Sequence, residues 1–476
     1  MNMIRRVHRT SIAKRAVTVV FSNIYKNSNH VLLKQSLSYS TNTNKNTNTI
    51  LLRDFLRRCL YHKQIGYFNK TTDNPIGTII EPMPFNEFID REDYLLNLQK
   101  RWSELGPAWL TPSEIFKPFY ANAIAKYLIS EQQLVDRKDM KIIEIGGGTG
   151  TFALGLLNYI RANNPEVYAT MKYVSIDVSE YSLTRQALQI KEHGHDTVWY
   201  RTEKPFDITR DATDENSTPA NTTNTTSCWR EIMKTIGNEG DGCFVIGLEL
   251  LDNLVHDKVI MSVKNGNWLQ ARVLIKNNEK REEYEPIEDD EIEYVLSKVL
   301  EVRKSLPFWT HLSDAMKGVF KQRDVTNSNN SSTSSTSSSD DVSSGVRNQT
   351  IYLPTGLSFA LKNLRKFVPG HRLVLADFDS LPESKMHGLN APVVASQSSG
   401  GKTHDRMSYL EGDMGSSDVF FPTCFETLKK LDANKNGKYM TTKAFMQKWS
   451  DSNACLTRNG YNPLLSDFSN TKFYLS

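Results

Sequence analysis

A glycine-rich turn, in the stretch MKIIEIGGGTGTFALGLLNYI at residues 140–160, constrains the fold of this 476-residue chain more than any other feature. Gly146, Gly147, Gly148 and Gly150 fill four of five consecutive positions, and Glu144 lies two residues before the first of them. An apolar run precedes the turn and an amphipathic run follows it. Because glycine permits left-handed backbone and the close approach of another group, the pattern predicts a strand that turns into a helix against a ligand.

Short β-branched runs alternate with amphipathic runs around this turn. The predicted strands are 140–145, 172–178, 196–202, 242–250 and 371–378. Residues 151–161 and 179–193 have apolar side chains three and four positions apart, which is typical of helices. Strands that alternate with helices indicate an α/β fold with a doubly wound parallel sheet. A further pair of apolar runs flanks Asn265 and Gly266, which is a strong hairpin signal.

An N-terminal helical region is predicted at residues 51–135. It contains one amphipathic run at 85–102 and a second helix that begins after Thr111, with Glu114 three positions beyond the cap. Threonine followed in this way by glutamate is the capping-box pattern of a helix N-terminus. Pro118 is expected to kink this helix or to delay its start.

Three polar segments near 208–227, 324–348 and 395–406 contain few apolar residues. Such segments bury too little apolar surface to offset the entropy of ordering, so we expect disordered insertions in the loops. Residues 456–476 are predicted to form a C-terminal tail.

The basic side chains are concentrated at the start of the chain. Residues 1–53 contain nine Lys and Arg residues and no acid, whereas the remainder has 49 basic and 54 acidic side chains. A basic, acid-free, Ser- and Asn-rich start predicts a disordered mitochondrial transit peptide at residues 1–50, and hence a protein of the mitochondrial matrix. The slightly acidic remainder argues against a nucleic-acid partner. No apolar run approaches the roughly 18–20 residues of a membrane span, so a soluble protein is expected.

Neither a metal site nor a disulfide framework is predicted. The five cysteines form no C-x-x-C pair and are odd in number; they are Cys59, Cys228, Cys243, Cys424 and Cys455. Residues 432–443 imitate a calcium-binding loop, but Lys443 stands at the position of the bidentate glutamate that calcium requires.

Three kinds of nucleotide site compete for the glycine turn. A P-loop is excluded because no Lys-Ser/Thr pair follows the glycines. A dinucleotide site formally fits Gly148-x-Gly150-x-x-Ala153. The third pattern, in which an acid precedes alternating glycines, is typical of class I S-adenosylmethionine methyltransferases. Glu144 suits that cofactor because a carboxylate attracts its cationic amino group, whereas it would repel the pyrophosphate of a dinucleotide.

Asp177 is expected to end the second strand of the sheet, in the sequence YVSID. A carboxylate at that point can accept hydrogen bonds from both ribose hydroxyls, which either nucleoside cofactor requires. The predicted cofactor-binding residues are Glu144, Gly146, Gly147, Gly148, Gly150 and Asp177.

Two acids follow the buried-looking run of the strand at 242–250. Glu249 and Asp252 stand at its carboxyl end, where ligands bind in open α/β sheets. We therefore treat both as candidate catalytic residues. Structural roles remain open as the alternative, with Asp252 as a helix cap and Glu249 paired with a base.

Four motifs occur in the order found in the MidA-like S-adenosylmethionine-dependent methyltransferases. They are LTPSEIFKPFYANAIAKYL (110–128), EIGGGTGTFALGLL (144–157), YVSIDVSEYSLTRQALQI (173–190) and GLELLDNLVHDKV (247–259). The chain resembles this family over roughly residues 85–450. The resemblance implies an α/β class I methyltransferase fold of Rossmann-like type, with a methyltransferase domain at 136–455.

The resemblance also implies roles for particular residues. Glu144 and the glycines would line the methionyl side of S-adenosylmethionine, Asp177 the ribose, and Glu249 the methyl acceptor, with Asp252 as its partner. The family's common turn is E-L-G-P-G-R-G, whereas Gly147 and Thr149 replace its proline and arginine here. Its N-E-F-F-D motif has Leu248 in place of the asparagine, so the chain resembles a divergent branch.

The family includes a mitochondrial protein arginine methyltransferase that assists assembly of respiratory complex I. The resemblance therefore implies arginine methylation of a mitochondrial protein, with a complex I subunit as the candidate substrate. Two alternatives remain open at this point. One is a non-catalytic assembly factor that retains the fold, and the other is a dinucleotide-dependent oxidoreductase.

Overall fold

A seven-stranded mixed sheet forms the centre of the protein, seen here in a computed structural model. The structure describes residues 49–70, 75–134, 139–210, 219–237, 242–277, 279–305, 349–398, 402–434, 436–451 and 453–476. The predicted insertion near 324–348 lies outside the described residues, as does all but the last two residues of the predicted transit peptide.

The strands are numbered in chain order. They are β1 (Thr49–Leu51), β2 (Lys141–Ile145), β3 (Lys172–Ile176), β4 (Trp199–Arg201), β5 (Phe244–Leu248), β6 (Asp257–Met261), β7 (Trp268–Lys276), β8 (Glu279–Pro286), β9 (Thr350–Leu353), β10 (Arg372–Phe378), β11 (Val393–Ser398), β12 (Lys402–Asp405), β13 (Asp418–Phe420), β14 (Lys438–Thr441) and β15 (Thr471–Leu475).

The α-helices are numbered in the same way. They are α1 (Leu52–Tyr61), α2 (Arg91–Glu104), α3 (Pro112–Ile115), α4 (Phe119–Leu134), α5 (Thr151–Asn163), α6 (Pro165–Thr170), α7 (Glu180–Glu192), α8 (Pro219–Ile236), α9 (Asp290–Ser305), α10 (Thr355–Phe367), α11 (Phe425–Asp432), α12 (Thr442–Trp449) and α13 (Pro463–Ser466). Among the helices of the described residues, none is both long enough and apolar enough to cross a bilayer.

The central sheet has the strand order β14-β15-β10-β5-β2-β3-β4. The five strands from β10 to β4 run parallel, and β15 is antiparallel to both of its neighbours. Successive side chains of β2 enter opposite cores, with Ile142 packed among α4 and α5 and Ile143 among α8, α9 and α10. Helices thus cover both faces of a mixed α/β sheet.

Two smaller antiparallel sheets adjoin this centre. One has the order β1-β7-β6-β9, with β8 paired to β7, and the other has the order β12-β11-β13. The hairpin predicted around Asn265 and Gly266 is confirmed, because β6 pairs with β7 in the register Val259 to Gln270. Helix α1 packs on the first of these sheets and contributes Leu52, Phe55 and Leu56 to its core.

The predicted C-terminal tail at 456–476 is wrong for its last residues. Thr471–Leu475 form β15, which lies inside the central sheet between β10 and β14. Phe473 and Tyr474 are fully buried, one in the core on each face of the sheet. The sheet is therefore completed only by the end of the chain, and the predicted boundary at residue 455 does not separate the tail from the domain.

Two predicted insertions also contain regular structure. The segment near 395–406 is a hairpin of β11 and β12, in which Ser396 pairs with His404. Part of the segment at 208–227 belongs to α8, which begins at Pro219. Polar composition alone did not distinguish these elements from disordered loops, because an exposed hairpin has the same composition.

The predicted break at Pro118 is confirmed, since α3 ends at Ile115 and α4 begins at Phe119. Half of the predicted capping box is present: the Thr111 hydroxyl accepts from the N–H of Glu114 at 3.3 Å. The carboxylate of Glu114 does not complete the box and instead contacts the glycine turn and the segment before α2, as described below.

Candidate functional site

The carboxyl ends of the parallel strands meet at one edge of the central sheet, where the strand order reverses. β3 and β4 lie on one side of β2, whereas β5 and β10 lie on the other. In open α/β sheets a crevice forms at such a reversal and holds ligands. The glycine turn follows β2, Asp177 follows β3 and Glu249 follows β5, so three predicted site elements meet at this crevice.

The glycine turn uses backbone conformations that other residues rarely adopt. The φ angles are 74°, 54° and 85° at Gly146, Gly148 and Gly150. Gly147 is required for a different reason, since a Cβ atom there would lie 2.6 Å from Oε2 of Glu144. The turn therefore places bare backbone directly on a buried carboxylate.

Glu144 is buried beneath this turn, and its Oε2 atom has no hydrogen-bond partner among the described residues. Burial raises the pKa of Glu144 to about 7; the nearby Tyr173 hydroxyl, which approaches without hydrogen-bond geometry, opposes the shift, and the charge of Asp177 adds to it. An unpartnered buried carboxylate oxygen is costly unless a donor reaches it. A cationic group of a bound ligand would supply that donor and restore the charged form.

Asp177 is buried at the end of β3 and accepts hydrogen bonds from several N–H groups. Its Oδ1 accepts from Ser179 N at 3.0 Å, and its Oδ2 accepts from Gly148 N at 3.3 Å and Gln186 Nε2 at 3.2 Å. Burial raises the pKa of Asp177 to about 6, and these donors oppose the shift. The carboxylate thus ties the glycine turn to the start of α7.

Glu249 stands beyond β5 in a left-handed backbone conformation, with φ of 49°. Its N–H donates to the carbonyl of Ala376 at 2.8 Å, which holds this conformation in place. The side chain lines a narrow recess together with Phe116, Tyr120 and Phe468. The residue as a whole keeps intermediate exposure, yet protein surrounds its carboxyl group. Burial and the charge of Asp377 raise its pKa well above the ordinary range.

Three carboxylates act on Asp252, and we call the four together the acidic cluster: Glu249, Asp252, Asp377 and Asp418. Asp252, Asp377 and Asp418 are buried. Burial and the charges of Asp377, Asp418 and Glu249 raise the pKa of Asp252 well above its ordinary range, and its Oδ1 atom has no hydrogen-bond partner among the described residues. Burial also raises the pKa of Asp418 to about 7, opposed by Val419 N–H, the Asn253 amide and Lys70.

The structural roles weighed for Glu249 and Asp252 do not fit this arrangement. Asp252 lies within a short 3₁₀ turn at Leu251–Asn253 and does not precede a helix. Asp377 holds that turn, since its Oδ2 accepts from Leu251 N at 2.7 Å and from Asp252 N at 3.2 Å. The charge that acts on Glu249 is the acid Asp377 and not a base.

Comparison with known families identifies the class of protein. A family described as "Putative S-adenosyl-L-methionine-dependent methyltransferase" matches residues 123–444, more than half of the chain. The chain belongs to this methyltransferase family. The predicted cofactor, S-adenosylmethionine, is thereby confirmed. No curated protein matches the sequence.

Several solved structures are similar to this methyltransferase at low sequence identity. A COG1565 superfamily member from Burkholderia thailandensis, bound to S-adenosyl-homocysteine, has 13% identity and a TM-score of 0.49, over 90% of this chain and 87% of that one. The native structure of a protein of that superfamily from the same organism has 12% identity and a TM-score of 0.47 over the same shares. The CcbJ methyltransferase from Streptomyces caelestis has 7% identity and a TM-score of 0.30, over 75% and 88%.

The residues at the crevice fit the cofactor of this methyltransferase family. Glu144 offers an unpartnered carboxylate oxygen to a cationic amino group, beneath a turn whose bare backbone leaves room beside it. Asp177 would hold the ribose, because its carboxylate oxygens can exchange N–H partners for hydroxyls. When bound, S-adenosylmethionine supplies an electrophilic methyl group on a positively charged sulfur.

Sequence reasoning missed Asp377, Asp418 and Glu114 as parts of this site. Asp377 stands at the carboxyl end of β10, so the argument that found Asp177 at the end of β3 would also have found it. Asp418 is the first residue of a strand of only three residues and gives no comparable signal. Glu114 was assigned to a capping box, which concealed its contact with the glycine turn.

Proposed function

We propose that this chain is a class I, Rossmann-like methyltransferase of the MidA-like branch that transfers a methyl group to an arginine of a mitochondrial protein. The observation that carries the acceptor assignment is the recess at Glu249, where a carboxyl group lies among aromatic rings and close to Asp377 and Asp252. A planar cation can stack on aromatic faces and donate paired hydrogen bonds to a carboxylate, which favours a guanidinium over a neutral methyl acceptor.

The sheet supports the class I assignment. Five parallel strands with a reversal next to β2, followed by an antiparallel β15 between β10 and β14, leave the crevice open at the carboxyl ends of β2, β3 and β5. The glycine turn and Asp177 lie on one side of the reversal and Glu249 on the other. Cofactor and acceptor would therefore approach each other across the reversal.

Glu249 would hold the guanidinium and concentrate electron density on the attacking nitrogen. Paired hydrogen bonds from a guanidinium to a carboxylate are among the stronger contacts in proteins. A bound cation would also offset the raised pKa of Glu249. The acceptor nitrogen would have to lose a proton during methyl transfer, and the Glu249 carboxylate, kept in its charged form by the bound guanidinium, would be placed to accept it. Asp252 and Asp377 would keep the recess negative.

Glu249→Gln tests this role. Glutamine keeps the shape of the side chain but cannot accept paired hydrogen bonds or a proton, so we expect methyl transfer to fall by roughly 100-fold or more. The affinity for S-adenosyl-homocysteine, measured by titration calorimetry, should stay within about twofold. Glu282→Gln is the matched control, because Glu282 is a partly buried partner of Lys258 that does not line this recess. That variant should lose stability and keep methyl transfer.

The outcomes separate the remaining alternatives. A wild-type protein that binds S-adenosyl-homocysteine but transfers no methyl label to proteins of a mitochondrial extract would support the non-catalytic assembly factor. The departures from the family motifs at Thr149 and Leu248 are consistent with that alternative. Binding of NADH in place of S-adenosyl-homocysteine would contradict the cofactor itself. A Glu249→Gln variant with normal turnover would remove Glu249 from the acceptor site.

The mitochondrial location is part of the proposal and rests on the sequence of residues 1–53. Nine basic and no acidic side chains in that stretch should direct import. A fusion of residues 1–50 to a fluorescent reporter is expected to enter mitochondria, and a fusion with its Lys and Arg residues changed to Gln is the control. A cytosolic wild-type fusion would contradict the location, and with it the suggestion that the chain assists complex I assembly.

A further inference from the structure

Glu114 is a buried carboxylate that the reaction described above does not use. Its side chain is fully enclosed, and both oxygens are occupied. Oε1 accepts from the Thr149 hydroxyl at 2.6 Å and the Thr151 hydroxyl at 2.5 Å. Oε2 accepts from Ile79 N at 3.2 Å and from Lys117 Nζ at 3.3 Å. A single carboxylate therefore joins the glycine turn to two segments of the N-terminal region.

The segment Ile76–Ile79, which we call the strap, lies against both halves of the cofactor crevice. At one end of the strap, the N–H of Ile79 donates to Glu114. At the other end, Ile76 lies close to the glycine turn, since a Cβ atom added at Gly148 would be 3.4 Å from Ile76 Cδ1. In the middle, the Thr78 hydroxyl accepts from Arg185 Nη2 at 2.6 Å. Arg185 lies on α7, which begins three residues after Asp177. The strap thus spans from the turn after β2 to the helix after β3.

The two threonines are placed where small movements of the turn matter most. Thr149 lies between Gly148 and Gly150, both of which have left-handed φ angles, and Thr151 begins α5. Glycine loses more conformational entropy on ordering than any other residue type, and three glycines of this turn, Gly146, Gly148 and Gly150, adopt left-handed backbone. Hydrogen bonds to a carboxylate are roughly twice as strong as neutral ones, so the Glu114 contact can hold the turn in one conformation before a ligand arrives.

The residues of the glycine turn that Glu114 contacts can be compared with the common turn of the family that this chain resembles. Thr149 stands where the common turn of the resembling family has arginine, and Gly147 stands where it has proline. Glycine in place of proline gives a turn with less intrinsic rigidity, because proline fixes φ and glycine does not. Glu114 supplies a tether for this more flexible turn, and Lys117 balances its charge.

We propose that Glu114 is a positioning residue for cofactor binding, which acts by tethering Thr149 of the glycine turn to the strap. The proposal rests on S-adenosylmethionine as the cofactor. A preorganised turn binds more tightly because less conformational entropy is lost on binding. Release of the tether should therefore weaken cofactor binding while the acceptor recess remains intact.

The test uses pairs of variants in the full-length protein. Thr149→Val and Thr151→Val each remove one hydroxyl contact to Glu114 and keep the branched shape. Thr355→Val is the matched control, because the buried Thr355 hydroxyl donates to the Asp257 carboxylate at 2.7 Å, outside the glycine turn and strap. Dissociation constants for S-adenosylmethionine and S-adenosyl-homocysteine are measured by calorimetry, and stability by urea unfolding.

We expect Thr149→Val and Thr151→Val to weaken both ligands by about tenfold, the value of one such hydrogen bond. Thr355→Val should lose comparable stability and keep wild-type affinity. Glu114→Gln should also weaken both ligands by the same factor. This equality matters because S-adenosylmethionine carries a positive sulfur that S-adenosyl-homocysteine lacks. A loss confined to S-adenosylmethionine would show that the charge of Glu114 acts directly, and would overturn the positioning role.

Other outcomes are equally decisive. Wild-type affinity in both threonine variants would overturn the proposal, as would equal losses in Thr355→Val, which would indicate a general effect of stability. The Glu114→Gln/Thr149→Val double variant should bind about as weakly as the weaker single variant, because Thr149→Val removes the contact that Glu114→Gln weakens. Failure of the wild-type protein to bind either ligand would instead contradict the cofactor assignment, independently of Glu114.

Discussion

Two groups of carboxylates in this protein, one around Arg53 and the other the acidic cluster, differ in the charges that surround them. Asp257 and Asp289 face Arg53 of α1: Asp257 Oδ2 accepts from the guanidinium at 2.7 Å, and Asp289 Oδ1 at 3.0 Å. Burial opposes the charge of Arg53, yet the two acids raise the pKa of its guanidinium overall. In the acidic cluster, by contrast, the charges acting on Asp252 are those of Asp377, Asp418 and Glu249.

The contrast separates structural from functional use of charge. A buried ion pair is self-contained, and its removal affects folding. A buried group of like charges lowers the stability of the protein unless a bound cation neutralises it. Such groups are therefore found where a ligand or a reaction needs them. The Arg53 group joins α1 to β6 and to the start of α9, whereas the acidic cluster lies at the carboxyl ends of β5 and β10.

Arg53→Ala should give the largest change in stability. It would leave the buried Asp257 and the partly buried Asp289 without their cation, so we expect the free energy of unfolding to fall by about 3–5 kcal/mol. Urea unfolding followed by tryptophan fluorescence measures the loss. Arg58→Ala, at an exposed position on the same helix, is the control and should change stability by less than about 0.5 kcal/mol. Equal effects of both variants would remove the distinction between the two regions.

Asp177→Ala should give the next largest effect, on binding and not on folding. The Asp177 carboxylate is held by neutral N–H donors that ribose hydroxyls can replace. It is therefore neither paired with a cation, as in the Arg53 group, nor grouped with other acids, as in the acidic cluster. Loss of its hydrogen bonds should cost about 1.5–3 kcal/mol of binding, or roughly 10- to 100-fold in the dissociation constant for S-adenosyl-homocysteine. Asp196→Ala, at an exposed position beyond α7, is the control. Unchanged affinity would place the ribose elsewhere.

The acidic cluster should make stability depend on pH. The pKa of Asp418 is raised to about 7, so between about pH 4 and pH 7 the folded protein binds more protons than the unfolded chain. Stability contributed by this group is present below pH 4 and is lost as the pH rises through 7.

Asp252→Asn removes one charge from that cluster with little change of shape. It should stabilise the protein more at pH 8 than at pH 5, because protonation of the cluster at the lower pH already relieves the repulsion between its carboxylates. Urea unfolding at both pH values measures the difference. Asp289→Asn, in the paired group, should destabilise at both. A uniform loss in Asp252→Asn would indicate that the cluster contains an unrecognised cation.

Much of the central sheet could be predicted from the sequence, for a physical reason. Parallel strands buried on both faces are continuous apolar runs, and four of those predicted coincide with β2, β3, β5 and β10 to within two residues at each end. β15 was missed because TKFYL at the end of the chain is short, and its pairing with β10 joins residues about 100 positions apart. No local pattern encodes such a distant partner.

The candidate site was predictable where its chemistry is local. The glycine turn and Asp177 follow their strands directly and were found by that rule. The contact of Glu114 with Thr149 joins positions 35 residues apart, and the left-handed backbone of Glu249 depends on Ala376 in a neighbouring strand. The local sequence around Glu114 or Glu249 does not predict tertiary contacts of this kind.

Substitution of Glu249 by glycine should give the smallest change in stability and the most specific test of the difference between the acidic cluster and the Arg53 group. A left-handed φ of 49° costs a residue with a side chain roughly 1–2 kcal/mol that glycine does not lose. Ala433, at the end of α11, has φ of 57° and is exposed, so it offers the same backbone conformation without a site. Both Glu249→Gly and Ala433→Gly should therefore stabilise the protein, each by about 1 kcal/mol or less, since glycine also raises the entropy of the unfolded chain.

The two glycine variants should then differ in activity. If the side chain at 249 is retained for the acceptor despite its backbone cost, Glu249→Gly will be more stable than wild type and will lose methyl transfer, whereas Ala433→Gly will be more stable and fully active. Thermal unfolding at pH 8 beside a methyl-label assay measures both properties. A destabilised Glu249→Gly would mean that the carboxyl group supports the fold, and the acidic cluster would then resemble the Arg53 group more closely than its charges suggest.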